Sequence, residues 1–312
     1  MSCAYSPLQA AIVVDVKTGE VLYSNNADCK TQPASLVKVM SLFIAFHALS
    51  RKKIKSHTMM KVSHHAASQR PSSLGLKANQ LISCRDAVLA MITKSANDAS
   101  VVLAEHIGGT EARFVQIMNA EARRLSMNCT QFVNSSGWKD RRQAMTARDV
   151  AKLSLTIIRK YPKFFTLFST KNFKYNGINY RNHNHMLGEK NGVRIDGIKT
   201  GFVYASGFNI SVSASKGNKR IIVVVLGGRT AKKRDDEVRQ LIDYAFHKLE
   251  RRQMKRIQDN RSIFTRIRDL FTPNKPRHGL RIKKNNAIKE TIINTHKKKR
   301  GYVGHCKIKH AK

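Results

Sequence analysis

The stretch that decides the fold reads Pro33-Ala-Ser-Leu-Val-Lys-Val-Met-Ser-Leu-Phe-Ile-Ala-Phe46. Its long apolar run predicts a buried helix with Ser35 at or just before the first turn. Ser35 and Lys38 are three residues apart, so both side chains lie on one face of that helix. The free amides of a helix start face the same point, which suits a developing negative charge. Because a lone buried lysine is costly, this position favours a chemical role for Lys38 over a surface one.

Two further motifs follow in the chain. Ser95-Ala-Asn97 lies between two apolar stretches, which predict two helices with a polar turn between them. Lys199-Thr-Gly201 lies in a predicted strand, with a small residue where something approaches the backbone. In this order the motifs combine a nucleophile and a lysine, a second hydroxyl and an amide, and a cationic strand that can hold a carboxylate.

Each motif alone is a weak signal, because similar patterns occur elsewhere in the chain. Other copies of Ser-x-x-Lys lie at Ser50/Lys53, Ser136/Lys139 and Ser213/Lys216. A second Lys-Thr-Gly at residues 17–19 lies between apolar runs and predicts a hairpin turn. A helix–helix turn with a capping Ser or Asn is the alternative interpretation of Ser95-Ala-Asn97. The prediction therefore depends on context and order.

These motifs, together with Asn134-Ser-Ser-Gly137 and Ala205-Ser-Gly-Phe-Asn209, resemble those of a known family over about residues 8–249. The family is the serine-type D-alanyl-D-alanine carboxypeptidases, the low-molecular-mass penicillin-binding proteins. The resemblance implies an α/β (α+β) fold of the β-lactamase/transpeptidase type, an antiparallel sheet flanked by helices with an inserted mostly helical subdomain. It implies a DD-peptidase domain at residues 1–250.

The resemblance also implies an activity, the removal of the terminal D-alanine from peptidoglycan stem peptides that end in D-Ala-D-Ala. Ser35 would be the acylated nucleophile, and Lys38 its general base. Ser95 would relay a proton to the leaving amine, and Asn97 would bind the substrate backbone. A β-lactam would acylate the same serine, and the resemblance implies no cofactor or metal.

The third motif would bind the substrate's terminal carboxylate. Lys199 and Thr200 would hold that group, and Gly201 would let the substrate strand lie close. The resemblance implies an oxyanion hole formed by the backbone amides of the nucleophile and Phe202. A lysine acts as a base only when it is neutral, and both partial burial and a second cation such as Lys199 push Lys38 toward that form.

Other functions remain open from the sequence. A class A β-lactamase shares the three motifs, but it needs a glutamate in a Glu-x-x-Leu-Asn pattern to activate water. The glutamates between the second and third motifs lack that pattern, and they are Glu105, Glu111, Glu121 and Glu189. A DD-endopeptidase on the same scaffold and a non-catalytic wall- or membrane-binding protein are further alternatives.

The charge of the chain is extreme, with a formal net charge of +38 over 312 residues. Residues 251–312 carry 20 lysines and arginines against three acidic residues, which predicts a basic, flexible tail. Its segment 262–271 has apolar residues at helical spacing and could lie on an anionic membrane. Nucleic-acid binding would also fit the charge, but no recognition motif accompanies it.

Patterns of apolar and polar residues predict the secondary structure around the motifs. We predict a hairpin at about residues 9–24, a mostly helical region at 84–160, strands near 195–203, 207–214 and 220–227, and a final helix at 232–249.

The resemblance implies export to the periplasm or cell envelope, although no signal peptide is visible in Met1-Ser-Cys-Ala-Tyr5. The five cysteines lack a Cys-x-x-Cys spacing, and His183-Asn-His185 is interpreted as a pair of loop histidines.

Overall fold

The computed structural model describes residues 9–138 and 140–271 of the chain. In chain order, the strands are β1 (Ala10–Asp15), β2 (Val21–Asn25), β3 (Met59–Lys61), β4 (Leu81–Ser83), β5 (Asn172–Tyr175), β6 (Ile178–Arg181), β7 (Gly188–Lys190), β8 (Val193–Val203), β9 (Gly207–Lys216) and β10 (Lys219–Gly228). The helices are α1 (Lys38–Ser50), α2 (His64–Ala67), α3 (Cys84–Thr93), α4 (Asn97–Gly108), α5 (Glu111–Arg124), α6 (Ala147–Lys160), α7 (Pro162–Phe165) and α8 (Ala231–Phe271). Turns of 3-10 helix cover Ala34–Val37 and Thr166–Ser169.

A six-stranded antiparallel sheet lies at the centre of the described residues, in the order β2-β1-β10-β9-β8-β7. The first strands and the last strands of the chain are neighbours in it, and the helices α1–α7 are inserted between them. Two small hairpins, β3-β4 and β5-β6, belong to the insertion. The predicted fold class is confirmed, because an antiparallel sheet is flanked by helices with a mostly helical insertion.

Both faces of the sheet are buried. Alternate residues of β1 point to opposite sides, as a pleated strand requires. Val13 packs with Val238 and Phe246 of α8 on one side, and Ile12 packs with Phe46 of α1 on the other. Helix α1 is buried on most of its surface, as its apolar sequence predicts. The nucleophile's helix therefore lies between the sheet and the other inserted helices.

The boundaries differ from the predictions at two places. The nucleophile's helix starts with the 3-10 turn Ala34–Val37, and its α-helical part begins only at Lys38. Helix α8 continues to Phe271, past the predicted end at residue 249, and it includes the predicted amphipathic segment 262–271. The apolar pattern ends near Leu249, but the arginines, lysines and glutamines that follow are good helix formers.

The chain divides into two compact units, Met1–Leu249 and Glu250–Lys312, and the sheet belongs to the first. The assignment of residues 1–250 to peptidase activity and of 251–312 to a flexible basic tail stays a prediction. The part of that tail from residue 272 onward lies outside the described residues, as does Met1-Ser-Cys-Ala-Tyr5. Within the described ranges, no helix combines the length and apolar character needed to cross a bilayer.

Candidate active site

Ser35 and Lys38 lie together at the start of the buried helix. Ser35 is in the 3-10 turn, and Lys38 is the first residue of α1. A 3-10 turn places residues i and i+3 above one another, so the two side chains point the same way. Lys38 Nζ donates a hydrogen bond to Ser35 Oγ at 3.1 Å. The structure thus brings together the two residues that the first motif predicts as a nucleophile and its base.

Lys38 has two further acceptors. Its Nζ lies 2.6 Å from Asn97 Oδ1 and 2.7 Å from the backbone oxygen of Ser136. The Lys38 side chain is completely buried. Desolvation by this burial holds the pKa of Lys38 well below its usual range. The positive charge of Lys199 lowers this pKa further, while Asp98 acts in the opposite direction.

The second motif forms the turn between α3 and α4. Asn97 is the first residue of α4, and its side-chain oxygen accepts the hydrogen bond from Lys38. Ser95 adopts a positive φ of 61° and is buried. Within the described part of the chain, Ser95 Oγ has no hydrogen-bond partner. A buried hydroxyl without a partner is rare, and at a cleft it is available to a bound substrate.

Strand β8 carries the third motif. Lys199 is buried, and its Nζ donates to the backbone oxygen of Thr200 at 3.0 Å. Burial lowers the pKa of Lys199 to about 7, and the nearby Arg234 contributes to the same effect. A cation that is this poorly solvated gains from an anionic partner, which a substrate carboxylate would supply. Thr200 follows at 8 % exposure, close enough to the surface to touch a ligand.

Gly201 lies against the nucleophile's turn. A Cβ at this position would be 3.0 Å from the backbone oxygen of Pro33 and 3.1 Å from the backbone nitrogen of Ser35. Any side chain would therefore push β8 away from the turn. Strand β8 can lie this close to the nucleophile's turn because residue 201 has no side chain.

Beyond Gly201 the strand becomes aromatic and exposed. Phe202 is 43 % exposed, and its ring centroid is 5.3 Å from that of Tyr204 and 4.4 Å from that of Phe208. The oxyanion-hole role predicted for Phe202 concerns its backbone N–H group and not its ring, and it stays a prediction.

Four residues near the site lie outside the predicted set. The carbonyl of Ser136 accepts a hydrogen bond from Lys38; the Asn134-Ser-Ser-Gly137 motif marks this segment in the sequence but not the contact of its backbone. Asp98 accepts the backbone N–H groups of Leu74, Gly75 and Leu76, which fixes that loop on α4. The sequence feature that could have indicated Asp98 is its position directly after the second motif.

The other two unpredicted neighbours are Arg234 and His183. Arg234 lies near enough to Lys199 for its positive charge to lower the pKa of that lysine. His183 is in the loop between β6 and β7, as the sequence predicts, and its backbone N–H donates to the backbone oxygen of Thr93 at 3.2 Å. Desolvation, followed by the charges of Lys199 and Lys94, lowers the pKa of His183 to about 4. The histidine therefore borders the second motif as a neutral group.

An antiparallel sheet with a helical insertion, and a serine beside a buried lysine, are the features of the penicillin-binding class of protein. Residues 6–230 match the family model described as D-alanyl-D-alanine carboxypeptidase. The chain belongs to this family. The resemblance read from the motifs is thereby confirmed.

Individual relatives support the same family. The D-alanyl-D-alanine carboxypeptidase DacD of Salmonella typhimurium is 34% identical over 241 residues, which cover 75% of this chain and 62% of that protein. The chain thus spans about three-fifths of the length of the curated relatives it matches. The crystal structure of penicillin binding protein 6B from Escherichia coli is 33% identical, with a TM-score of 0.72, and covers 78% of each chain.

A third comparison includes an antibiotic. Penicillin-Binding Protein D2 from Listeria monocytogenes was solved in an ampicillin-bound form. It is 31% identical to this chain, has a TM-score of 0.66, and covers 79% of this chain and 99% of its own.

Proposed function

We propose that this protein is a serine-type D-alanyl-D-alanine carboxypeptidase that removes the terminal D-alanine from peptidoglycan stem peptides. The observation that carries the proposal is the completely buried Lys38, whose Nζ is 3.1 Å from Ser35 Oγ. Burial keeps this lysine toward its neutral form, and a neutral amine next to a serine hydroxyl is a general base. Membership of the D-alanyl-D-alanine carboxypeptidase family supports this choice of substrate.

Acylation begins when Ser35 Oγ attacks the carbonyl carbon of the last peptide bond and Lys38 Nζ accepts the hydroxyl proton. The new C–O bond leaves a negative charge on the carbonyl oxygen, which the backbone amides of Ser35 and Phe202 stabilise. The C–N bond then breaks, and the proton passes from Lys38 through Ser95 Oγ to the leaving amine. Ser95 suits this relay because its buried hydroxyl is free of other hydrogen bonds within the described residues.

In deacylation, water takes the place of Ser35 as the nucleophile. Water attacks the ester carbonyl, Lys38 accepts a proton from that water, and the C–O bond to Ser35 breaks. Ser35 recovers its hydroxyl proton, and the shortened peptide leaves. A β-lactam would enter the same pathway, since attack of Ser35 opens its strained amide ring and forms an equivalent ester.

Substrate orientation depends on the third motif. Lys199 and Thr200 bind the terminal carboxylate, which positions the last peptide bond over Ser35. Asn97 binds the peptide backbone. A free carboxylate at this point distinguishes a carboxypeptidase substrate from an internal peptide bond, which is the bond an endopeptidase cuts.

The glutamates argue against the β-lactamase alternative. Class A β-lactamases activate the deacylating water with a glutamate. In this chain, Glu105 accepts a hydrogen bond from Ser63, Glu111 accepts two from Ser135, and Glu121 pairs with Arg124. These three carboxylates are committed to other partners, so slow hydrolysis of a β-lactam ester is expected.

The proposal is tested by intact-mass spectrometry after incubation with ampicillin. We expect a stable adduct on the parent protein and none on Ser35→Ala. Ser50→Ala is the matched control, because Ser50 also begins a Ser-x-x-Lys pattern but lies exposed at the end of α1. It should form the adduct as the parent does. Release of D-alanine from a pentapeptide ending in D-Ala-D-Ala is then measured for the same three proteins.

Each outcome has a distinct meaning. An adduct on Ser35→Ala, or none on the folded parent, would remove the basis of the proposal. An adduct that disappears within seconds would favour a β-lactamase. Stable acylation without release of D-alanine, but with cleavage of cross-linked peptides, would favour an endopeptidase.

The proposed setting is the cell envelope, where the substrate lies. We further propose that the basic residues from 251 onward bind an anionic membrane surface. Helix α8 exposes Met254 and Phe264 in this region, and the basic residues Arg251 and Lys255 lie within one helical turn of Met254. Apolar and cationic side chains on one helix are the pattern of interfacial binding.

A further inference from the structure

Several polar contacts fix the loop of residues 134–137, which supplies the Ser136 carbonyl to Lys38. Asn134 Oδ1 accepts the backbone N–H of Gly137 at 2.7 Å. Gly137 has a φ of +84°, and a Cβ there would be 1.9 Å from the backbone oxygen of Ala34. The loop thus lies directly against the turn that carries the nucleophile.

Ser135 is the most strongly held residue of this loop. It is fully buried, and its carbonyl accepts hydrogen bonds from Ser41 Oγ at 2.7 Å and Ser100 Oγ at 2.9 Å. Its backbone N–H and its Oγ both donate to Glu111 Oε1, at 2.9 and 2.7 Å. One carboxylate oxygen therefore fixes both the main chain and the side chain immediately before Ser136.

Glu111 is well placed to hold Ser135 in position. It is the first residue of α5, so its backbone position is set by the helix. Its side chain is 16% exposed, and its second oxygen, Oε2, lies 2.8 Å from His65 Nε2. The carboxylate is thus held at both oxygens and cannot turn away from Ser135 without breaking a contact.

We propose that Glu111 is a positioning residue for acylation of Ser35. It fixes Ser135 and so holds the Ser136 carbonyl at the correct place for Lys38 Nζ. This inference rests on the proposed function, because it concerns the base of that reaction.

The reason lies in the geometry of a neutral amine, which has two N–H groups and one lone pair. Asn97 Oδ1 and the Ser136 carbonyl are acceptors, so they take the two N–H groups of Lys38. The lone pair then points to Ser35 Oγ, the third neighbour of Nζ. If the Ser136 carbonyl moves, Nζ can rotate, and the lone pair no longer faces the proton that it must accept.

The test is the second-order rate constant for acylation by a fluorescent penicillin, measured on the full chain from pH 5 to 9. Glu111→Ala leaves the Ser135 N–H and Oγ without their acceptor. We expect a fall on the order of 100-fold, the size that a misplaced reacting group produces. Glu111→Gln retains an acceptor oxygen at the same reach, and we expect its rate to stay near that of the parent.

The pH profile separates positioning from general damage. Loss of a hydrogen bond to the charged amine lowers the pKa of Lys38, so the acid limb of the Glu111→Ala profile should move to lower pH. Within the described part of the chain, Lys199, Asp98 and His183 interact electrostatically with Lys38, and all three are unchanged in this variant. A protein that is only partly unfolded would lose rate without this shift.

Glu105→Ala is the matched control. Glu105 is also a glutamate of the helical insertion that accepts a serine hydroxyl, Ser63 Oγ, at 2.9 Å, but its partner lies outside the loop. It should be acylated like the parent. His65→Ala tests the second contact of Glu111 and should leave the rate within a few-fold, because Oε1 keeps both bonds to Ser135.

Folding of each variant is checked by circular dichroism. If Glu111→Ala does not fold, Glu111→Asp decides the question, since it keeps the charge but shortens the reach to Ser135. Parent-like acylation of a folded Glu111→Ala or Glu111→Asp would overturn the inference. Failure of the parent to be acylated at all would instead overturn the proposed function.

Discussion

In the proposed reaction, the two buried lysines Lys38 and Lys199 must differ in charge state. Lys38 must be neutral to accept a proton, whereas Lys199 must be charged to hold a carboxylate. Burial opposes the charge on both residues. In the proposed reaction the substrate brings a carboxylate that stabilises the charge on Lys199, and the charged Lys199 helps to keep Lys38 neutral.

Removal of Arg234 should shift the pH dependence of substrate binding. The pKa of Lys199 is about 7, and Arg234 contributes to lowering it. In the parent, Lys199 loses its proton as the pH rises through 7, so KM for a peptide with a free carboxylate should rise above that pH. In Arg234→Gln the pKa of Lys199 is higher, and the rise in KM should begin at higher pH. The measurement is KM and kcat for D-alanine release against pH.

Arg239→Gln is the control for this experiment. Arg239 lies on the same helix and pairs with Asp236 on the surface, so its loss changes the protein's charge equally. Its KM profile should match that of the parent. A KM profile of Arg234→Gln that coincides with the parent's would exclude Arg234 as a determinant of the Lys199 charge.

Single residues of the site differ in how far the sequence predicts them. Spacing and order group Ser35, Lys38 and Asn97, and the three side chains are joined by hydrogen bonds. The Ser136 carbonyl could not be predicted, because backbone acceptors are the same in every residue. Ser136 belongs to the Asn134-Ser-Ser-Gly137 motif, but that motif does not indicate that its carbonyl binds Lys38.

Contacts between elements determine the position of the nucleophile. The turn Ala34–Val37 is enclosed by β8 at Gly201 and by the loop at Gly137. Both glycines are needed because a backbone comes within contact distance of them. The cleft is therefore sensitive to side chains that would separate these elements.

Gly137→Ala should damage both stability and activity. The new Cβ would overlap the backbone oxygen of Ala34, and the φ of +84° is strained for alanine. We expect the free energy of unfolding to fall by about 2 kcal/mol or more. Acylation should slow as well, because the loop that moves carries the Ser136 carbonyl. Urea unfolding and the acylation rate constant are the measurements.

Gly177→Ala separates strain from overlap. Gly177 has a similar φ of +80°, but a Cβ there meets nothing within 4 Å. It should lose about 1 kcal/mol from strain alone and keep the parent's acylation rate. Equal losses of stability and rate in the two variants would show that contact with Ala34 is unimportant.

Elements with a strong apolar pattern are predicted well, and polar ones are not. The strands β8, β9 and β10 appear within a few residues of the predicted positions, because both of their faces are buried. The short hairpins β3-β4 and β5-β6 were not predicted, since three or four residues carry too little periodicity. Helix α8 extends beyond its prediction because its last turns are polar, and periodicity gives no signal there.

The charge of the whole molecule has consequences beyond the site. Lysines and arginines outnumber acidic residues 58 to 20, and the second compact unit, Glu250–Lys312, is especially basic. A long-range positive potential attracts anionic surfaces and speeds association with them. Proposed binding to a membrane surface should therefore depend on lipid charge and on salt.

We expect the full chain to bind vesicles of phosphatidylcholine mixed with phosphatidylglycerol, and to bind pure phosphatidylcholine vesicles much more weakly. Each lysine or arginine near an anionic surface contributes about 1 kcal/mol. Replacing four basic residues of α8 with glutamine should then weaken binding on the order of 100- to 1000-fold. The replaced residues are Arg251, Arg252, Lys255 and Arg256. Co-sedimentation at increasing salt measures the affinity.

The control for this prediction removes the same charge elsewhere. Four exposed lysines of the first compact unit, replaced with glutamine, reduce the net charge equally without touching α8. They are Lys52, Lys53, Lys55 and Lys61. If both quadruple variants lose the same affinity, the attraction belongs to the total charge, and α8 has no special part in it. A loss confined to the α8 variant assigns the contact to that helix, where exposed Met254 and Phe264 can add an apolar contribution that salt does not screen.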